Sequence, residues 1–348
     1  MMDISISLQQ QVLLAAENKA PLAITAGGSK AFMGQAIQGQ AIDIGPHRGI
    51  TEYDPRELVL TARCGTPLEE IEKALADAGQ MLAFEPPHFG NRATLGGTIS
   101  TGLSGPRRPY SGSARDFVLG CRMINGRGEI ASFGGQVMKN VAGYDVSRLL
   151  TGSRGTLGIL LEVSLKVLPK PAASITISRE CSPSDAIGTM SGLLSKPYPV
   201  DGACHDGERV HLRISGSEQA VKDALRKIPG EALPDAEAFW RGLREQELPF
   251  FQRGGTLCRI AVKPSTSPLH INGLWLLDWG GAQRWLYSDE DIQTIRHRVG
   301  LAGGHVTAFR NGSNETPLPA PLRALHQRIK ASFDPHDLFN RDHHYTTL

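Results

Sequence analysis

The chain has 348 residues, 40% hydrophobic and 21% charged, which is enough for a substantial buried core and for two domains. Its 37 Lys and Arg against 35 Asp and Glu leave a formal charge of +2 with no block of like charge, which argues against a nucleic-acid-binding face or a charged tail. The five cysteines (Cys64, Cys121, Cys181, Cys204 and Cys258) are widely spaced and never form C-x-x-C, which argues against an iron–sulfur or zinc site built from this chain alone.

At the N-terminus, Met1–Gln11 lacks the charged-then-apolar pattern of an export signal, and no apolar run reaches the length of a membrane span. A cytoplasmic protein is expected, meeting the cytoplasmic face of the inner membrane only through partners. Leu8–Lys19 is predicted as a helix with Leu8, Val12, Leu13 and Ala16 on one side. Leu22–Thr25 reads as a strand running into Ala26-Gly27-Gly28-Ser29, and Ala41–Ile44 and Leu58–Ala62 read as further strands. Thr66–Ala78 has a helical stripe of Leu68, Ile71 and Leu75, a Thr66/Glu69 capping box, Pro67 at the first position and Gly79 at the end. Residues 85–109 are loop-like. Phe117–Ile124 and Glu129–Phe133 suggest a hairpin around Asn125-Gly126, Tyr144–Leu150 a short helix and Gly158–Leu168 an alternating strand. Pro169-Lys170-Pro171 then breaks the pattern and suggests a boundary, giving domains 1–171 and 172–348. Beyond it, Val210–Ile214, Leu257–Val262, Leu274–Trp279 and Arg284–Tyr287 read as strands, and Ser217–Ile228 and Pro321–Phe333 as helices. That half is expected to be a smaller α+β domain with an antiparallel sheet.

Three segments carry chemistry. Ala26-Gly27-Gly28-Ser29 follows a strand, where adjacent glycines let successive backbone N–H groups turn toward an anion and Ser29 adds a hydroxyl; the same pattern also suits an ordinary turn. It is neither a Walker A loop nor a G-x-G-x-x-G unit, so a nicotinamide dehydrogenase is disfavoured. Thr94-Leu95-Gly96-Gly97-Thr98-Ile99-Ser100-Thr101-Gly102 offers amide and hydroxyl donors with no bulky side chains between them and a pyrophosphate, and reads equally well as a glycine-rich loop. The third segment runs Gly134-Gly135-Gln136-Val137-Met138-Lys139-Asn140-Val141-Ala142-Gly143-Tyr144-Asp145, then Gly152-Ser153-Arg154-Gly155-Thr156-Leu157-Gly158-Ile159.

Over Thr94–Pro171 these segments resemble the FAD-binding domain shared by vanillyl-alcohol oxidase and p-cresol methylhydroxylase, in the branch of D-lactate dehydrogenases and glycolate oxidase. Glu85-Pro86-Pro87-His88, Gly105-Pro106-Arg107-Arg108-Pro109, Leu248-Pro249-Phe250-Phe251 and Asp278-Trp279-Gly280-Gly281-Ala282 extend the likeness to the FAD-binding subunits of bacterial glycolate oxidase. The resemblance implies an α+β fold: a two-subdomain FAD-binding domain followed by a smaller antiparallel α+β domain. It implies FAD held by Ala26, Gly27, Gly28, Ser29, Thr94, Gly96, Gly97, Thr98 and Thr101. Gly112, Ser113 and Asp116 would lie beside the flavin or ribityl chain, and Gly143 and Ile159 would make backbone contacts. Lys139 would neutralise phosphate or sit in solvent, with Asn140 next to it. Arg107 and Arg108 would meet a carboxylate substrate, a partner subunit or only solvent. Ser29 stands where some members carry the histidine that attaches FAD covalently, so a dissociable flavin is expected; the scattered cysteines and the lack of a His-x-His pair lead to an expectation of no metal.

The resemblance also implies a homologous catalytic flavin subunit, an iron–sulfur subunit and a small 2-hydroxy acid oxidised to its 2-oxo acid. A self-sufficient D-2-hydroxyacid dehydrogenase and a non-redox assembly module that has lost the cofactor stay open as alternatives. Two features depart from the family. No His-x-His pair occurs, and the tail Phe339-Asn340-Arg341-Asp342-His343 lacks the Pro-Gly pair, with His343 where a basic residue is expected.

Overall fold

The computed structural model describes residues 3–135, 145–312 and 318–343. The chain divides into two compact units, one of Met1–Ser104, Gly112–Pro169 and Glu315–Leu348, the other of Gly105–Ser111 and Lys170–Asn314. A single cut after Pro171 therefore gives way to a threaded arrangement, in which the C-terminal segment clusters with the N-terminal part and seven residues of the early loop cluster with the second unit.

In the first unit, strands β1 (Leu22–Thr25) and β2 (Gln40–Asp43) pair in parallel, Thr25 opposite Asp43. The helix Ser5–Asn18 buries Leu8, Val12 and Ala15 into the same core. A five-stranded antiparallel sheet follows. Its strands are β3 (Ile50–Asp54), β4 (Val59–Arg63), β6 (Val118–Ile124), β7 (Ile130–Gly134) and β8 (Ile159–Lys166), in the order β3-β4-β8-β6-β7, while β5 (Gln80–Met81) and β9 (Leu168–Pro169) pair separately. Central β8 buries the alternating Ile159, Leu161, Val163 and Leu165 that mark it in the sequence. The β6–β7 hairpin turns where Asn125-Gly126 predicts, although the left-handed residue is Gly128; the Asn125 side chain closes the loop by accepting from the Arg127 and Glu129 amides.

The helix predicted over 66–78 runs from Leu68 to Asp77 and buries Leu68, Ile71 and Leu75. Its capping box does not form. The Thr66 hydroxyl accepts from the Gly49 amide at 2.8 Å and donates to the Arg63 carbonyl at 2.6 Å, so it ties β4 to its neighbours instead of capping. Side chains of this type serve whichever backbone group tertiary contact brings closest.

The C-terminal segment is fixed by a buried ion pair. From the helix Ala320–Phe333, Lys330 Nζ donates to Asp334 (2.6 Å), to the Phe339 carbonyl (3.0 Å) and to the Thr156 carbonyl (2.9 Å). Asp334 accepts from the Leu338 and Phe339 amides. The chain beyond then lies parallel to β1: Leu22 N donates to the Leu338 carbonyl, and Asn340 N donates to the Leu22 carbonyl.

The second unit is an eight-stranded sheet whose described pairings are all antiparallel. Its strands are β10 (Ala173–Glu180), β11 (Val200–His205), β12 (Arg209–Gly216), β13 (Glu231–Ala232), β14 (Leu257–Ala261), β15 (Leu274–Asp278), β16 (Gln283–Tyr287) and β17 (His305–Arg310), in the order β13-β10-β12-β11-β15-β16-β14-β17. Helix Glu218–Leu225 packs over β10 and β12 and helix Pro183–Leu194 over β11 and the turn Trp279–Gly281, their Ile187, Met190, Val221 and Ala224 sharing one core with Ile177, Leu212 and Ile214. Residues 229–255, poor in pattern, hold the helix Ala236–Glu245, whose Trp240 is buried with Nε1 donating to Thr176 at 2.8 Å.

Asp334→Ala removes the buried partner of Lys330, leaving its ammonium to Asp337 and two carbonyls, and frees the Leu338 and Phe339 amides; it is expected to lower unfolding stability by about 2–4 kcal/mol. Urea denaturation followed by circular dichroism measures this.

Candidate functional site

Two of the three glycine-lined bends meet. A Cβ on Gly27 would stand 1.5 Å from the Arg92 carbonyl oxygen and 3.4 Å from Thr94 Cγ2, so the loop after β1 lies directly against the entry to Thr94–Thr101. Only glycine permits that approach. Gly28, at φ +68°, carries the chain round the bend. Among the described residues the amides of Gly27, Gly28 and Ser29 have no hydrogen-bond acceptor, and these residues are half-buried or exposed. A row of unanswered N–H groups in a turned backbone has the donors that an anion-binding nest requires.

The neighbouring segment forms the short helix Leu95–Thr101. Thr94 caps it, accepting from the Gly97 amide at 3.3 Å. Gly96 is packed onto Cys64, where a Cβ would meet Cys64 Cβ at 2.9 Å, and donates to the Cys64 carbonyl at 2.7 Å. The hydroxyls of the two threonines differ. Thr101 donates back into its own helix, to the Gly97 carbonyl at 2.8 Å, so its single proton is already committed. Thr98 is 1% exposed and its hydroxyl has no partner among the described residues. An unanswered buried hydroxyl costs about 1–3 kcal/mol, which an incoming acceptor would recover. This donor set, amides and one orphan hydroxyl with little side-chain bulk, fits a diphosphate.

The third segment joins through Gly152 and Arg154, whose amides donate to the carbonyls of Ile99 (3.0 Å) and Ser100 (2.7 Å). Lys139, Asn140 and Gly143, expected as cofactor contacts, lie outside the described residues. Ile159 is fully buried at the start of β8, leaving only its backbone as a ligand contact. Gly112 turns at φ +109° into Ser113, which forms a capping box with Asp116. Burial alone would push the Asp116 carboxyl up. The Ser113 hydroxyl and amide, with Arg148 and Arg115 nearby, outweigh it and hold the group below its ordinary value, an anion in place.

Lys30 and Asn340 take parts that the sequence did not assign, and His343, singled out in the tail, falls short of the cation expected there. Lys30, one residue beyond the loop, is 7% exposed, with Nζ 3.4 Å from Ser29 Oγ and 3.4 Å from the His88 carbonyl; nothing in the local pattern marks it as buried. Asn340 accepts from the Ile24 amide at 2.8 Å and donates to the Arg154 carbonyl at 2.9 Å, joining the strand before the first loop to the third segment. Arg154 itself adopts φ +53°. His343 is buried with Nδ1 2.6 Å from the Gln35 carbonyl, and burial holds its pKa below the ordinary 6.5 with Arg154 adding to the effect. It is therefore a poor substitute for a permanent cation. Arg107 and Arg108 both belong to the second unit: Arg107 pairs with Asp201, which Arg213 shares at 2.7 Å, and Arg108 stacks 4.3 Å from the ring centre of buried Trp279. The indole Nε1 of Trp279 donates to the Gly105 carbonyl at 2.9 Å, and Trp285 packs edge-on against Phe251 and Phe309, so these tryptophans are core.

Comparison with known proteins bears on this geometry. The FAD binding domain family matches residues 7–134. The glycolate oxidase subunit GlcE of Escherichia coli (strain K12) is 48% identical over 347 residues, 99% of each chain. The glycolate oxidase subunit GlcD of Bacillus subtilis (strain 168) is 32% identical over 168 residues, 47% of this chain and 35% of that protein. A D-lactate dehydrogenase of Anaerostipes hadrus is 33% identical over 170 residues, 48% of this chain and 35% of that protein. A solved alkyldihydroxyacetonephosphate synthase superposes with a TM-score of 0.69 at 16% identity, covering 96% of this chain and 74% of that one, a likeness of fold.

Thr98→Val removes the orphan hydroxyl. Apo-protein stability is expected to hold or rise by up to about 1 kcal/mol, while a ligand that accepts from that hydroxyl loses about tenfold in affinity. Denaturation of the apo-protein and fluorescence titration with FAD separate the two effects.

Proposed function

The chain belongs to the family of FAD-binding glycolate oxidase subunits, and from that premise we propose that it works as the flavin-carrying subunit of a multi-subunit 2-hydroxyacid oxidoreductase that oxidises glycolate or D-lactate. What carries the reading is the amide-lined loop Ala26–Ser29 seated on Arg92 and Thr94, a diphosphate cradle within a chain that aligns end to end with a glycolate oxidase subunit. FAD, when bound, supplies the two-electron redox chemistry of 2-hydroxy acid oxidation.

The chain's own residues bind and orient. The amides of Gly27, Gly28 and Ser29 and the Thr98 hydroxyl donate to the diphosphate, and the Lys30 ammonium adds positive charge beside it. Thr94, Gly96 and Gly97 shape the second wall, and Thr101 steadies the helix behind it. Gly112, Ser113 and Asp116 would lie beside the flavin or ribityl chain, with the Asp116 carboxylate fixing the turn. Gly143 and Ile159 would contact the adenine or flavin through backbone atoms, and Lys139, with Asn140 beside it, would neutralise phosphate charge. Ser29, a hydroxyl where an attached flavin needs an imidazole, supports a dissociable cofactor.

A GlcD-type flavin subunit is the expected partner, and an iron–sulfur subunit the expected electron carrier, since the five cysteines here are scattered and unpaired. No described helix is long and apolar enough to cross a membrane, and attachment to the cytoplasmic membrane face through those partners is part of the proposal.

The test is purification of the chain alone and with its co-purifying subunits. The expected result is a yellow protein that releases intact FAD on acid precipitation, whose flavin absorbance bleaches with glycolate in the assembled complex. Bleaching in the isolated chain would assign it independent dehydrogenase activity. A colourless chain that takes up no FAD would overturn the reading in favour of an assembly module.

A further inference from the structure

A cavity of about 270 Å³ lies in the second unit between the helix Pro183–Leu194, the segment 227–229 and strands β10 and β12. Its construction runs against the pattern of a core. Along β10, Ile177 and Arg179 point to one face, opposite Leu212 and Val210 of β12, while Thr176 and Ser178 point to the other, where they meet Trp240 and His211. Ile177, Val210 and Leu212 are buried in the core beneath the helices, so Arg179 occupies a position that the alternation assigns to an apolar side chain. The helix above it presents Gly188 and Gly192, one turn apart. A Cβ at either would touch nothing within 4 Å, so these glycines leave room that a side chain could have filled.

Charge in this cavity is one-sided. Lys196 and Lys227 line it with Arg179, and no carboxylate does. Nearby acids are engaged elsewhere: Glu180 pairs with Arg209, Asp185 bonds Ser182, and Asp223 meets Arg226. Among the described residues none of the three cations forms an ion pair. Arg179 is instead aimed by the Thr189 hydroxyl, which its Nη2 meets at 3.2 Å. Tyr198 and Ile228 add aromatic and aliphatic walls.

We propose that this cavity binds a small dianion with a compact organic body, a phosphomonoester or a dicarboxylate. The two share the chemistry the cavity answers: two negative charges that a guanidinium fork and two ammonium groups neutralise, in a space of roughly nine water molecules. All the residues are in the second unit, and the proposal does not depend on the flavin reading.

Calorimetric titration of the full chain, with FAD and without it, at fixed ionic strength in chloride, tests it with inorganic phosphate and malonate as probes. One equivalent of at least one probe is expected to bind. Arg179→Gln should weaken it at least tenfold, and the double variant Lys196→Gln/Lys227→Gln should do likewise. Gly188→Leu should abolish binding by filling the space. Arg226→Gln, an exposed cation outside the cavity, should stay within twofold. Phosphate binding without malonate assigns the phosphomonoester, and the reverse assigns the dicarboxylate. Absence of saturable binding by either probe, or equal affinity in Arg179→Gln and the parent, overturns the proposal. Should Gly188→Leu melt early, the surface-accessible lysine pair and Arg179→Gln carry the decision.

Discussion

At Gly27 the backbone of one loop is pressed so close to the Arg92 carbonyl that no side chain fits between them. The contact brings the bend after β1 against the start of the Leu95–Thr101 helix, and it leaves the Gly27, Gly28 and Ser29 amides without acceptors among the described residues. Main-chain donors cost no side-chain entropy to orient and carry no charge of their own to be neutralised when the site is empty. They suit a cofactor held by its diphosphate.

The same arrangement depends on a segment more than 300 residues away in sequence. Leu338–Asn340 runs beside β1, and Asn340 spans from the Ile24 amide to the Arg154 carbonyl. Its own position rests on Lys330 and Asp334, a buried pair whose remaining hydrogen bonds are answered by carbonyls and amides of the tail and of Thr156. An ion pair fully satisfied in this way holds one geometry, because each alternative strands a charge. The tail thus steadies the cradle mechanically, while His343, buried and of depressed basicity, contributes little charge.

In the second unit the polar groups are placed with equal specificity. Asp201 is shared by Arg107 and Arg213, and Trp279 is held at φ +53° with its indole bonded to Gly105. A bulky residue in the left-handed region is strained and persists only where its surroundings over-determine it. Here Asp278, which accepts from the Trp279 amide at 2.7 Å, and buried Arg284, which bonds the Gly281 carbonyl, fix the turn from both sides.

The sequence by itself determined the secondary structure wherever one periodicity dominates: β1, β8, the buried stripe of Leu68–Asp77 and the β6–β7 hairpin follow from local pattern. It also determined the glycine-rich bends, since a Gly-Gly pair after a strand allows the left-handed turn and the close backbone approach that side chains forbid, and through its resemblance to a flavoprotein family it determined the cofactor class. In residues 229–255 the helix Ala236–Glu245 does carry a one-sided apolar stripe, with Trp240 and Leu243 buried, but it is short, its start has no side-chain cap, and Pro and Gly flank it on both sides, so the stripe does not read as a helix from the sequence. Only the tertiary structure decided which donors remain unanswered. Thr66 looks like a cap and serves Gly49; Thr98 and Thr101 look alike, yet one hydroxyl is spent on its own helix and the other has no partner among the described residues. Hydrogen-bond satisfaction is a sum over neighbours distant in sequence, and local pattern carries no information about who those neighbours are.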